Sequence, residues 1–262
     1  FCLSRGLGDV YKRQGGHRST ISDHRGESSR SGKTGRAIPT DRLSAAVFLF
    51  DVDGTLLRAG SREHNESLRR AVERVCGAYP RLDTIPLAGR TDTEILRDMV
   101  CSVGSEPSPG TLPRLFVAAS EDFETRCPRD IRRMVIDGVR PALERLRSGG
   151  AAVGLVTGNI EAIAWRKMAA AGLREFFGFG AFGDESARRA DLPPLALTRA
   201  GRPFSAANSY VIGDTPLDID CGQACSMHTV AVATGRYSLD ELRACEPTFA
   251  CGNLLEFIDW LR

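Results

Sequence analysis

The chain has 262 residues, 42% apolar and 26% charged, enough to build a buried core without disulfide or metal staples and too apolar for disorder throughout. Its longest apolar runs, such as Ala45–Phe50, fall far short of the roughly 20 residues a bilayer requires, so no membrane partner is expected. The formal net charge is +2, but the first 46 residues carry nine Lys/Arg against four Asp/Glu, which leaves −3 from Val47 onward and no electrostatic case for nucleic acid.

In chain order, residues 3–14 (LSRGLGDVYKRQ) read as the in-frame translation of a transposase sequencing adapter, so residues 1–14 are expected to be an artefact. Residues 15–45, rich in Gly, Ser, Arg and Thr, read as a disordered or untranslated leader, with a natural start near Leu43 or Val47. Val47–Asp51 is a short apolar run ending in a carboxylate and predicts a first strand. Residues 58–137 then show helical patterns and no strand: Asn65–Cys76, Thr91–Val103, Thr111–Arg126 and Asp130–Ile136. Thr91 and Glu94 have capping-box spacing, which predicts a helix start there.

From Pro141 the signals alternate. Strands are predicted at Val153–Thr157, Phe179–Asp184, Tyr210–Asp214 and Thr229–Ala233, and helices at Pro141–Arg147, Glu161–Leu173, Leu192–Ala200, Ile219–Cys225 and Leu239–Cys245. Continuous Val/Ile/Leu runs between helices predict an α/β fold with a parallel sheet buried on both faces. The predicted organisation is a core of residues 46–57 and 138–262, interrupted by a helical insertion at 58–137. Seven cysteines follow the leader without a C-x-x-C pair, and neither His64 nor His228 has metal-ligand spacing, so buried free thiols in a reducing cytoplasm are expected.

Open parallel sheets bind ligands at the carboxyl ends of their strands. Three predicted strands end there in polar signatures: Asp51-Val-Asp53, Thr157-Gly158-Asn159 and Asp214-Thr-Pro-Leu-Asp218. Aspartates at i and i+2 share a strand face, and Gly54 permits a turn just after them. Two carboxylate pairs converging from two strand ends suggest Mg²⁺, which takes few carboxylates plus waters and phosphate oxygens. A carboxylate nucleophile beside such a cation fits phosphoryl transfer. A single aspartate at a strand end is as well explained as a turn former, and the ordered set carries the inference.

Asp51-Val-Asp53-Gly54-Thr55-Leu56-Leu57, Val156-Thr157-Gly158-Asn159 and Val211–Asp218 together resemble motifs one, two and four of the haloacid dehalogenase superfamily, over about residues 46–255. The insertion lies where that superfamily places a C1-type helical cap, and Gly89-Arg90-Thr91-Asp92 resembles the cap of phosphoglycolate phosphatase-like members. The resemblance implies a Rossmann-like core, Mg²⁺ dependence and hydrolysis of a small phosphorylated metabolite. It makes Asp51 the nucleophile and a metal ligand. Asp53 becomes the acid and base, with its carbonyl on the metal. Thr157, with Gly158, Asn159 and amides of the next helix start, binds phosphate. Asp214 is a further metal ligand, and Asp218 contributes to the metal site, through water or by supporting the other ligands. Dehalogenases of the superfamily lack an acid at the position of Asp53, which favours a phosphatase.

The superfamily's third motif, usually a lysine, has no match in Gly183–Leu192. Arg189 is the expected cation, with Arg188 the alternative; both as surface arginines would mean a degenerate motif. Arg90 could hold a substrate anion or bind carbonyls next to the Thr91 cap. Lys167, the one lysine after the leader, is expected to face solvent. Residues 57–61 read either as a hinge bending at Gly60 or as a rigid loop. The alternatives in function are a phosphomutase or other phosphotransferase of the same fold, and a non-catalytic metabolite-binding member.

Overall fold

Strand β1 (Val47–Phe50) is buried on both sides: Phe48 and Phe50 enter one hydrophobic cluster, Val47 and Leu49 the cluster on the opposite face. That two-sided burial is why the run is continuously apolar rather than alternating. The computed structural model describes residues 38–59 and 61–261. The expectations for residues 1–37 and for bending at Gly60 lie outside the described residues.

Strands β2 (Ala152–Val156), β3 (Phe179–Ala181), β4 (Ser209–Gly213), β5 (His228–Val232) and β6 (Phe249–Cys251) complete one sheet of order β3-β2-β1-β4-β5-β6. Every pairing is parallel, as predicted. β1 pairs with β2 on one side and β4 on the other, Phe50 standing opposite Leu155 and Ile212. The chain moves outward from β1 in both directions, so the tips of β1, β2 and β4 form the switch point where such sheets bind ligands.

Helices α4 (Val139–Ser148), α5 (Glu161–Ala170) and α9 (Leu254–Trp260) cover one face, through Leu143, Met168 and Phe257. Helices α6 (Leu192–Thr198) and α7 (Pro216–Ala224) cover the other through Leu192 and Cys221, while α8 (Leu239–Arg243) packs Leu242 against Ile219 and Ala231.

Between β1 and β2 lie α1 (Arg62–Cys76), α2 (Asp92–Ser102) and α3 (Thr111–Arg126). They share a separate hydrophobic cluster, including Leu68, Leu96, Leu115 and Phe123, which reaches Ile160 and Ile163 at the start of α5. Ser61 caps α1 at the His64 amide, and Thr91 caps α2 at the Glu94 amide. Only this half of the expected box forms at α2, because Glu94 turns its carboxylate to Arg90 at 3.7 Å.

Four expectations are corrected. Asp130–Ile136 forms only a 3-10 turn, Arg132–Met134, because the backbone beyond it pairs with the outgoing linker: Arg58 N donates to Met134 O (2.8 Å) and Ile136 N to Leu56 O (3.1 Å). β6 and α9 extend the core beyond the last predicted element. The packed body also reaches back past residue 46. A 3-10 turn spans Thr40–Ala45, Leu43 is fully buried, and Ile38, also buried, donates its amide to Trp260 O at 3.2 Å. The fourth correction, the burial of Lys167, belongs to the site. All seven cysteines of the described residues are free, with Cys127, Cys221 and Cys251 buried and Cys101 exposed.

Candidate active site

Because β1 and β4 are neighbours, the residues that follow them meet. Asp51 donates its amide to Ile212 O (2.9 Å), which brings it beside Asp214 just beyond β4. Asp218 returns from the first turn of α7, where it closes a capping box: its Oδ2 accepts from Thr215 N (3.1 Å) and Oγ1 (2.6 Å). Ligand oxygens of Asp51, Asp214 and Asp218 lie within 4.8 Å of one another, and all three residues are buried. Gly54 makes this approach possible. Its φ is +96°, and a Cβ there would lie 2.4 Å from Asp214 Oδ2.

Three carboxylates in so small a space are short of positive charge. Burial pushes Asp51 up to about 7, against the opposing Arg189 charge and with Asp218 adding to the rise. Burial, then Asp218 and Asp51, pushes Asp214 up to about 8. Arg189, in the turn before α6, is the cation present. Its Nη2 donates to Asp51 Oδ1 (2.8 Å) and to Asp218 Oδ1. Burial opposes its charge, but Asp218 and Asp51 outweigh burial and keep the guanidinium firmly protonated. Arg188 is exposed and faces Asp191 at 3.8 Å, so of the two candidates only Arg189 reaches the aspartates.

The donor set fits a hard dication. Asp51 Oδ2 and Asp214 Oδ2 make no hydrogen bond among the described residues, while both oxygens of Asp218 are engaged. With both oxygens engaged, Asp218 is the least open of the three carboxylates. The carboxylate of Asp53 lies outside the cluster, so any share of Asp53 in a metal site falls to its carbonyl.

Asp53 has its own surroundings. Its Oδ2 accepts from Asn159 Nδ2 (2.9 Å) and from Lys167 Nζ (2.5 Å). Burial would raise this carboxyl, but the Lys167 charge and both hydrogen bonds hold it below the ordinary value. The expectation for Lys167 is thus overturned: its side chain is only 2% exposed and reaches across to the acid/base candidate. It also meets Asn159 Oδ1 (2.7 Å) and His64 Nδ1 (3.1 Å), and His64 Nε2 meets Asp92 Oδ2 (2.9 Å). His64, Asp92 and Lys167 were not legible as site residues. The one sequence signal is that a lone lysine, an uncommon core residue, lies on the helix that follows the second motif.

Of the expected phosphate cradle, the Asn159 side chain and the amides at the start of α5 are already engaged by protein groups. Asn159 spends its amide on Asp53 and Lys167. The amides at the start of α5 already donate to carboxylates, Ile160 N to Asp92 (2.8 Å) and Glu161 N to Asp184 (3.0 Å). Thr157 is fully buried, and its Oγ1 accepts from Asn159 N at 3.3 Å. Gly158 lines the cavity, and its missing Cβ, which would lie 2.1 Å from Arg90 O, lets the 90–91 backbone cross over it.

The cavity above these residues measures about 430 Å³. Asp51, Asp53, Arg189 and Asp214 form its charged end, and Ile85, Leu87 and Ile95 contribute an apolar side from the inserted segment. Arg90 also lines it, but Nη1 is held by Asp98 (2.7 Å) and Pro86 O (3.1 Å), which favours the reading as a structural arginine. Burial together with apolar walls strengthens every charge interaction at the polar end.

Comparison with known proteins matches residues 48–223 to the family model for haloacid dehalogenase-like hydrolases. The chain is 27% identical over 194 residues to a phosphoglycolate phosphatase of Rhodobacter capsulatus, covering 73% of this chain and 85% of the relative. It is 25% identical over 197 residues to a phosphoglycolate phosphatase of Nitrosospira multiformis, covering 74% and 85%. Among solved structures, a β-phosphoglucomutase from Clostridium difficile superposes with a TM-score of 0.64 at 17% identity, over 82% of this chain and 95% of that one. The matched span holds Asp51, Asp53, Thr157, Arg189, Asp214 and Asp218, and by that match the chain belongs to the haloacid dehalogenase-like hydrolases.

Proposed function

We propose that the protein is a Mg²⁺-dependent phosphatase acting on a small phosphorylated metabolite, of phosphoglycolate or sugar-phosphate type, through an aspartyl-phosphate on Asp51. The observation that carries this reading is the pair of neighbouring carboxylates with opposite surroundings. Asp51 belongs to a buried cluster short of positive charge, while Asp53, two residues on, is held by Lys167 and Asn159. Two carboxyl groups driven apart in acidity serve two roles. The phosphatase relatives named above support the substrate class.

A carboxylate oxygen of Asp51 attacks phosphorus, and the bond from phosphorus to the leaving oxygen breaks. Asp53 gives that oxygen a proton through Oδ1, the oxygen with no protein partner among the described residues. In the second half Asp53 takes a proton from water, the water oxygen bonds to phosphorus, and Asp51 is released. A carboxyl held ionised suits the second half directly. The first half needs it protonated, which makes the rate sensitive to the leaving group. Arg189 offsets the charge of Asp51, and its Nη1, unpaired among the described residues, remains for a phosphoryl oxygen. Mg²⁺, when bound, supplies the remaining positive charge for Asp51 and the phosphoryl group; Asp51, Asp214 and the Asp53 carbonyl would hold it, with Asp218 behind. Residues 58–137 act as a cap that contributes the apolar wall and excludes water. Seven free cysteines among the described residues fit a reducing, cytoplasmic setting.

Hydrolysis of 4-nitrophenyl phosphate with Mg²⁺ and with chelator tests the proposal. Turnover should require the metal, and Asp51→Asn should show neither turnover nor a covalent phosphoenzyme by intact mass. Near wild-type turnover in Asp51→Asn would refute the nucleophile. Metal-dependent binding of phosphorylated compounds without turnover would favour the non-catalytic alternative.

A further inference from the structure

Lys167 is anchored on α5 of the core, while His64 and Asp92 stand on α1 and α2 of the inserted segment. An ammonium has three N–H donors and no acceptor. All three are used here, on Asp53 Oδ2, Asn159 Oδ1 and His64 Nδ1. His64 must therefore accept at Nδ1 and carry its proton on Nε2, where it donates to Asp92 Oδ2. Asp92 is fixed in turn by the Ile160 amide, and its own amide donates to Gly158 O at 2.7 Å. With Lys167 as an ammonium, each of these contacts has one direction.

The outcome at Asp53 is asymmetric. Both protein donors converge on Oδ2, and Oδ1 is left without a protein partner among the described residues, in a residue that lines the cavity. A carboxylate free to rotate would present either oxygen, or neither, to a leaving group. We propose that Lys167 is a positioning residue for Asp53, and that His64 and Asp92 hold Lys167 in place from the inserted helices, so that Asp53 presents Oδ1 to the leaving oxygen when that segment is docked. The inference rests on the phosphatase reading and adds to it a functional cation that the superfamily motifs do not mark in this chain. A plain staple between core and insertion would use the same contacts, and the two roles differ in what they do to chemistry.

Two aryl phosphates of nearly one shape separate them. Phenyl phosphate needs an acid at its leaving oxygen, and 4-nitrophenyl phosphate barely does. The quantity to compare is kcat/KM with Mg²⁺, which covers steps up to departure of the leaving group. In Lys167→Met, phenyl phosphate should lose about 10²-fold, a misplaced general acid, while 4-nitrophenyl phosphate stays within a few-fold of wild type. Asp92→Asn keeps an acceptor oxygen for Ile160 N–H, and it should show the same preference at about tenfold, at the low end of what a misplaced acid costs. It carries the test if Lys167→Met does not fold. Equal loss on both substrates, or no loss on either, overturns the positioning role, as does an Asp92→Asn enzyme with wild-type values for both. A wild-type protein inactive on both substrates with Mg²⁺ overturns the phosphatase reading itself, whereas an active wild type with uniform losses overturns this inference alone.

Discussion

Metal removal should change how stability depends on pH. Burial displaces Asp51 from 3.8 to about 7 and Asp214 to about 8. A carboxyl raised in this way binds its proton more tightly when folded. Its contribution to stability is complete below the unfolded value and is lost as pH rises through the folded one. Between those values each group removes about 1.4 kcal/mol per pH unit, so Asp51 alone should cost chelated protein about 2–3 kcal/mol between pH 5 and 7. Asp53, shifted downward, acts with the opposite sign and below 3.8, outside this window. Mg²⁺ binds the ionised carboxylates, so the stability it adds should be small at pH 5 and grow toward pH 8. Urea denaturation of the full chain at pH 5, 6, 7 and 8, with chelator and with saturating Mg²⁺, measures both effects. Asp214→Asn should flatten the chelated profile and remove most of the Mg²⁺ gain. A chelated stability that is constant or rising from pH 5 to 8 would refute the charge-deficit argument, and so would an undiminished Mg²⁺ gain in Asp214→Asn.

Arg189→Ala should lower kcat/KM for 4-nitrophenyl phosphate by about 2–4 kcal/mol of transition-state stabilisation, whereas Arg188→Ala should be mild; the reverse ranking would move the role to Arg188. Asp53→Asn should retain Mg²⁺-dependent stabilisation but lose roughly 10²- to 10⁴-fold in turnover, with the aspartyl-phosphate accumulating enough to be seen by intact mass. Gly54→Ala, whose Cβ would meet Asp214 Oδ2 at 2.4 Å in a positive-φ turn, should abolish the Mg²⁺-dependent gain in stability as well as activity. A chain starting at Asp41 should be less stable than one starting at Ala37 by about 2–4 kcal/mol, because it loses the buried side chain of Ile38; equal urea midpoints would show that this packing contributes nothing.

What the sequence determined by itself is whatever local order encodes. The alternation of apolar strands with helical periods, the parallel sheet, and the aspartates at the tips of β1 and β4 were all legible, because a strand's burial and its terminal residues are written in consecutive positions. Arg189 was legible by its place in the third motif, with Arg188 set aside only by its exposure in the fold. Short elements under long-range control were not. Asp130–Ile136 has a helical pattern, yet its backbone pairs with residues 56–58, more than 70 positions away, and tertiary hydrogen bonds outweigh a weak local preference. The amides at the start of α5 looked free for phosphate until the fold brought Asp92 and Asp184 to them. Lys167 is the clearest case. On its own helix it follows Arg166, another long cation, and solvent was the natural place for it. Its partners Asp53 and His64 lie 114 and 103 residues away, and only their convergence supplies the charge and acceptors that let an ammonium be buried.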